Sequence, residues 1–435
     1  MGGADVFASM LGVRRSLDQY RTCVGGQSVE EIAELAKPLR GSRILQLSAM
    51  PSRPGVSDTL DSLTSLLRLV GIAAEWRIVP SKPHQIEVYR ALNLALSGHF
   101  VQWTPQMHAT WLNCEGDPSV VLSQSQDYDF IVVHDAELVG MVKAASWIRN
   151  TGSARWIWHC HSDSSKAQPD IRDLLSIYAR QYHRRISCGQ EQRAGFSAHF
   201  RFTVPPSIDP LSPRNIDLSP TFVEMVLRQH GLDPQRPIVL YVLRDRQDLS
   251  VTSRIVDGFL LAKQRVPGLQ LLALVKGEAN DRLTHTQYHD LGSKLGDCRD
   301  ARLVAVANGV GNIEINAFQR AAAVVLEWSD LAEIATDILE PMWKARPVIV
   351  GAATAGGLGA EDGRIVCVAH SAQECGDRIV SLIESPSTAN AIGQGAREHV
   401  RKKFLITRLL YAYLTLLRDL ANQEVATTVR AARMN

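Results

Sequence analysis

The chain has 435 residues, too many for one simple core, so two domains of about 200 residues each are the first expectation. Lys and Arg number 47 against 45 Asp and Glu, and the formal net charge of +2 is too near neutral for a general polyanion binder, which removes nucleic acid from the expected partners. With 45% hydrophobic, 21% charged and 6% aromatic residues, the composition excludes a disordered chain and allows a large buried core.

Taken in order, MGGADVFASMLGVRRSLDQY has no long apolar block behind its basic residues, and no later stretch reaches the roughly 18 apolar residues of a membrane span. A soluble chain without a span is expected. Gly2 suggests N-myristoylation, but Val6 stands where that motif needs Ser or Thr. RILQLSAM (43–50) reads as a buried strand. After the turn at Pro54-Gly55, Val56, Leu60, Leu63, Leu67 and Val70 recur at helical spacing, so a helix follows and packs on that strand as a βα unit. AAEWRIVP, DFIVVHD and ARWIWHCH are the next strands, with helices between and after them, one carrying Ile171, Leu174, Leu175 and Tyr178.

PPSIDPLSPRNIDLSP, with five prolines, disfavours continuous helix or central strand and reads as the interdomain linker. A second alternation follows: PIVLYVLRD, a helix to about residue 263, GLQLLALVK, another helix, ARLVAVA, a helix through Phe318, AAVVLEW and PVIVG. The last helix sets Ile406, Leu409, Leu410, Tyr413, Leu417 and Leu420 on one stripe. The fold class is therefore α/β, two doubly wound Rossmann-like domains facing a central cleft. The expected domains are residues 1–212 on the acceptor side, 213–400 on the nucleotide-sugar side, and a C-terminal helix, 401–435, returning to the first. Seven cysteines without a Cys-x-x-Cys pair suggest no disulfide framework and fit a reducing, cytoplasmic setting.

Open parallel sheets bind ligands beyond the carboxyl ends of their strands. At those turns WIWHCHSDSS, VPPSIDPLSPRN, EINAFQRA, EPMWKARPVIVG and the terminal REHVRKKFLITRLLYAYL resemble the trehalose synthases of the glycosyl-transferring type, from about Gly25 to about Asp419. These are retaining glycosyltransferases of family four with the GT-B fold. The resemblance implies transfer of a sugar from a nucleoside diphosphate donor to a sugar-like acceptor, in the cleft between domains and without an essential metal or other cofactor. Such a reaction needs positive charge on the departing diphosphate, contacts that hold the donor sugar, and a dry site that excludes water.

By the same resemblance, Arg244 meets the diphosphate, Glu340 the nucleotide ribose and His161 the donor sugar near the reacting centre. Asp135 with His134, and Asp163, serve the acceptor. His161 and Arg244 are thus the catalytic candidates. Three places depart from the family. Leu249 stands where a second, lysine cation belongs. Ala332 replaces the first of the two donor-motif glutamates. Glu333 lies one residue late, a shift of about 100° on a helix, so it replaces that carboxylate only if the loop is re-registered; otherwise it is a helix-start acid favoured by the dipole. In the first loop, MPSRPGV keeps only Gly55 of the family's glycines, and Pro54 removes an amide donor. Arg246 and Arg254 are candidate substitutes for the missing cation, and Arg53 is a candidate phosphate contact; each is also an ordinary solvated arginine.

His159 and His161 lie on one side of a strand and would begin a zinc site, but no second ligand pair stands at usable spacing, so no metal is expected. GAATAGGLGAEDG lacks the phosphate-loop pattern and reads as a flexible turn beside the donor phosphates. Arg397, Arg401, Lys402 and Lys403 read as a solvated helix face. The reading is a hexosyltransferase of the trehalose synthase type with an altered donor site, and a homodimer is compatible with it. The alternatives are a pseudo-glycosyltransferase using a nucleotide-activated cyclitol with a sugar or cyclitol acceptor, and a catalytically inactive binding or regulatory homologue.

Overall fold

The structure is a computed structural model that describes residues 16–49, 56–113, 127–144, 154–161, 167–187, 201–243, 249–276, 282–306, 310–329 and 334–432. Contacts divide the chain into two units, Met1–Ser207 together with Ile406–Asn435, and Ile208–Leu405.

In the first unit, among the described residues, β1 (Arg43–Ser48), β2 (Ala73–Ile78), β3 (Phe130–His134), β4 (Arg155–Cys160), β5 (Arg184–Ser187) and β6 (Arg201–Thr203) form one sheet. The strand order is β2-β1-β3-β4-β5-β6 and every pairing is parallel. Every residue of β3 is buried, as expected of a strand covered on both faces. The helix Val56–Leu69 buries Leu60, Leu63 and Leu67, and Pro169–Ala179 buries Ile171, Leu175 and Tyr178, on the stripes read from the sequence. The helix Ile406–Ala432 packs against Gly26–Ala36 and Val56–Leu69, with Leu409, Leu410, Tyr413 and Leu417 in the core.

The second unit repeats the pattern with β7 (Ile238–Leu243), β8 (Gln270–Val275), β9 (Ala301–Ala305), β10 (Val324–Glu327), β11 (Val348–Val350) and β12 (Cys367–Val368). Their order is β12-β11-β10-β7-β8-β9, again wholly parallel. Each sheet reverses its winding once, between β1 and β3 and between β7 and β10, and these are the points where open sheets take ligands. No described helix is long and apolar enough to cross a membrane.

Three strands escape the sequence pattern. β5 carries two arginines, of which Arg185 is buried with its guanidinium 4.9 Å from the Trp158 ring. β6 and β12 are too short for any period to show. The glycine-rich run also differs from expectation. Ala352–Leu358 is a helix that starts at Gly351 and ends at Gly359, whose φ of 57° is the left-handed closure glycine permits. Buried Thr354, Ala355 and Leu358 hold it in place.

The helix Pro386–Lys403 crosses backbone at close range. A Cβ on Gly393 would lie 2.1 Å from the Ala345 carbonyl oxygen. Gly393→Ala should therefore destabilise the protein by roughly 2–3 kcal/mol through overpacking against main chain that has no rotamer to yield. Gly356→Ala, with nothing within 4 Å of its Cβ, should stabilise by about 0.5–1 kcal/mol through helix propensity. Denaturant melts of both variants check this, and equal effects would refute the close-approach account.

Candidate functional site

At the carboxyl end of β3 the chain must turn sharply, and Asp135 does so with φ 63°, a left-handed conformation that Asp tolerates better than most residues. Three bonds lock it across to β4. Its amide donates to the His159 carbonyl at 2.8 Å, its own carbonyl accepts from the Trp158 indole at 2.9 Å, and its Oδ1 accepts from the His161 amide at 3.0 Å. Asp135 and Glu137 line a small pocket with Ser48, Ala49 and Ser57, at the switch point between β1 and β3.

Parallel register places His134 beside His159. The His159 and His161 rings stack at 3.9 Å, and His134 Nδ1 shares a hydrogen bond with His161 Nε2 at 2.9 Å. Behind them, His159 Nδ1 bonds the Tyr413 hydroxyl at 2.5 Å. Burial first, then the neighbouring His161 and, for His159, also His134, push His134 and His159 well below the ordinary imidazole range. The three imidazoles are also the group among the described residues with metal-ligating geometry. The sequence reading found the His-x-His pair but not its partner, because His134 arrives only through strand pairing.

In the second unit the recognisable sequence segments converge on one buried network. Glu340, on the helix Thr336–Trp343, accepts on Oε2 from Arg214 Nη1 at 3.1 Å and Gln319 Nε2 at 2.8 Å. Lys344 donates to Asn215 Oδ1 at 2.8 Å and Gln319 Oε1 at 2.7 Å. Asn316 Nδ2 bonds the carbonyls of Pro213 and Ile216, and Arg320 reaches those of Asn215 and Ile216. Residues 213–216, Asn316, Gln319, Arg320 and Lys344 are thus a scaffold around Glu340. Burial is the main reason the Lys344 ammonium is pushed down to about 7, with Glu340 opposing and Arg320 and Arg214 adding to the fall.

Beside this network Lys276, just after β8, forms a buried ion pair with Asp337 in the first turn of the Glu340 helix, and Arg214 Nη1 stands 3.7 Å from the same carboxylate oxygen. The sequence reading passed over both Lys276 and Asp337. A lysine ending an otherwise apolar strand was the available signal.

Of the expected site residues, His134, Asp135 and His161 come together and Glu340 stands in the second unit. Arg244, Glu333, Gly55 and Asp163 lie outside the described residues, as do Arg53, Arg246 and Ala332. Arg254 sits with its guanidinium 5.2 Å from the Trp328 ring centre. In the basic run, Glu398 accepts from Arg401 Nε and Nη2 at 2.6 and 2.7 Å and is pulled down to about 2, while Arg397 covers Trp343.

A family model described as "Trehalose synthase, N-terminal domain" matches residues 47–192. The trehalose synthase of Rubrobacter xylanophilus is 30% identical over 406 residues, covering 91% of this chain and 95% of that protein. That of Pyrococcus horikoshii is 28% identical over 411 residues, covering 94% and 97%. Among solved structures, Anabaena Alr3699/HepE in complex with UDP and glucose superposes with a TM-score of 0.61 at 16% identity, covering 90% of this chain and all of that one.

The buried amine makes a pH prediction. Between about pH 7 and the ordinary lysine value near 10.4, the unfolded chain holds a Lys344 proton that the folded one has lost, so stability rises with pH by up to about 1.4 kcal/mol per unit. Below that window both states are protonated and the cost of the buried charge is constant. Melting temperatures of the wild type relative to Lys344→Met should climb from pH 7 to pH 8.5; a difference flat in pH would refute the assignment.

Proposed function

The chain belongs to the trehalose synthase family of glycosyltransferases, with the GT-B fold, and from that premise we propose that it transfers a hexosyl group, with retention, from a nucleoside diphosphate sugar to a sugar-like acceptor. The observation that carries this reading is the assembly of His134, Asp135 and His161 beside the switch-point pocket of the first unit.

Asp135 and Asp163 bind acceptor hydroxyls together with His134, and His161 contacts the donor sugar. Carboxylates suit the first task because they accept two or more hydroxyl protons at fixed angles. Among the described residues the two side-chain bonds of Glu340 fall on Oε2, and Oε1 is assigned to the ribose. Arg244 meets the departing diphosphate. Lys276 is assigned as the second cation in place of the absent lysine at Leu249: Leu243, directly before Arg244, is in register with Val275, directly before Lys276. One such cation contributes a few kcal/mol, about 3, to leaving-group stabilisation. The acceptor attacks on the face from which the diphosphate leaves, and the departing phosphate oxygen takes its proton. This chemistry needs no metal. Gly55 completes the donor side by the same family resemblance, and Glu333 does so if its loop is re-registered.

Calorimetric titration with ADP, GDP, UDP and their glucose conjugates tests the reading, beginning with UDP-glucose, which a fold neighbour has bound. One nucleotide should bind, and more tightly as its conjugate. Glu340→Gln and Lys276→Gln should each weaken it at least tenfold. Asp135→Asn, which keeps the left-handed backbone and the His161 contact, should spare nucleotide affinity and cut acceptor-dependent turnover at least 100-fold. Equal binding losses in all three variants would sink the assignment, and binding of no conjugate would leave the cyclitol-using pseudo-glycosyltransferase and the inactive homologue in its place.

A further inference from the structure

We propose that His134, His159 and His161 form a site for one divalent transition-metal ion of the zinc class, and that metal and donor sugar exclude one another there. The second half rests on the assignment of His161 to the donor sugar; the first half does not.

The geometry follows from sheet construction. Side chains two apart on a strand share a face, which puts His159 and His161 together. Residues paired across neighbouring strands also share a face, and His134 is the register partner of His159. One ring nitrogen from each histidine lies within 4.8 Å of the others. Two ligands from a His-x-His strand and a third from the adjacent strand make a three-imidazole set, which leaves a fourth position for water.

The contact between His134 and His161 needs little change. Zinc–nitrogen bonds of about 2.0–2.1 Å place tetrahedral ligand atoms about 3.3 Å apart. His134 Nδ1 and His161 Nε2 are 2.9 Å apart with a proton between them, so exchanging proton for metal opens that contact by a few tenths of an ångström. One further feature suits a ligand set. The Tyr413 hydroxyl holds His159 Nδ1 and so designates Nε2 as its ligand atom, the outer-sphere bond that metal-binding histidines commonly carry. Imidazole nitrogens select zinc, copper, nickel or cobalt over magnesium or calcium, which want oxygen. A metal held by the His161 ring nitrogen denies that atom to a sugar hydroxyl.

The test uses the full chain freed of metal by chelation, titrated with Co²⁺ and followed in the visible. The expected result is a tetrahedral cobalt spectrum that saturates at one equivalent and is bleached by Zn²⁺. It should vanish in His134→Gln and His159→Gln, each checked for an intact melt, and Tyr413→Phe should weaken binding about 10- to 100-fold. The absence of a spectrum in the wild type, or its survival in both histidine variants, would overturn the site. In turnover assays Zn²⁺ should raise the apparent KM for the nucleotide sugar in the wild type and not in His159→Gln. Stoichiometric binding without effect on turnover would uphold the site and remove His161 from the donor contact.

Discussion

The register of β3 against β4 is the constraint on which the first unit's chemistry depends. Parallel strands offer evenly spaced, slanted bonds, and here their last paired residues are His134 and His159. Because β3 stops at His134, the next residue must leave the sheet at once, and Asp135 does so in a left-handed conformation that spends its amide, carbonyl and carboxylate on β4. A slip of one residue would send every side chain to the opposite face. It would separate the three imidazoles and turn the aspartate from the pocket.

The second unit solves a different problem, the burial of a carboxylate on a sheet-covering helix. Leaving Glu340 unpaired would cost several kcal/mol, and the chain answers with Arg214 and Gln319, each supplied by another segment. Lys344 sits in the same network yet is held by neutral oxygens, from Asn215, Gln319 and the Glu340 carbonyl, so burial outweighs attraction and its proton is loosely held. Residues that look like catalytic motifs are therefore divided by role. Asn316, Gln319 and Arg320 tie segments together, while Glu340, and beside it Lys276 with Asp337, lie at the end of the sheet where open α/β units meet ligands.

Much of this was legible. Strands covered on both faces must be apolar throughout, so β1, β3, β4, β7 and β8 announced themselves, and helices showed their period wherever one stripe was buried. What escaped was short or locally disguised: the two-arginine β5, the two-residue β12, and a glycine-rich run that packing turned into a helix. The site divides in the same way. His-Asp at a strand end and His-x-His in the next strand were visible as residue types. The contact between His134 and His161, the bond from Tyr413 to His159, and the pairing of Lys276 with Asp337 join residues 27 to 254 positions apart, and nothing local records such distances.

The amino-acid sequence by itself determined the class of fold, the alternation of its elements, the family, and the residue types available at each strand end. Those follow from periodicity and composition, which act over a few residues at a time. Tertiary structure alone decided which of those residues meet, which carboxylate is paired and which amine holds its proton loosely. Hydrogen-bond register and burial are properties of neighbours in space, and strand pairing makes neighbours of residues that the chain keeps far apart.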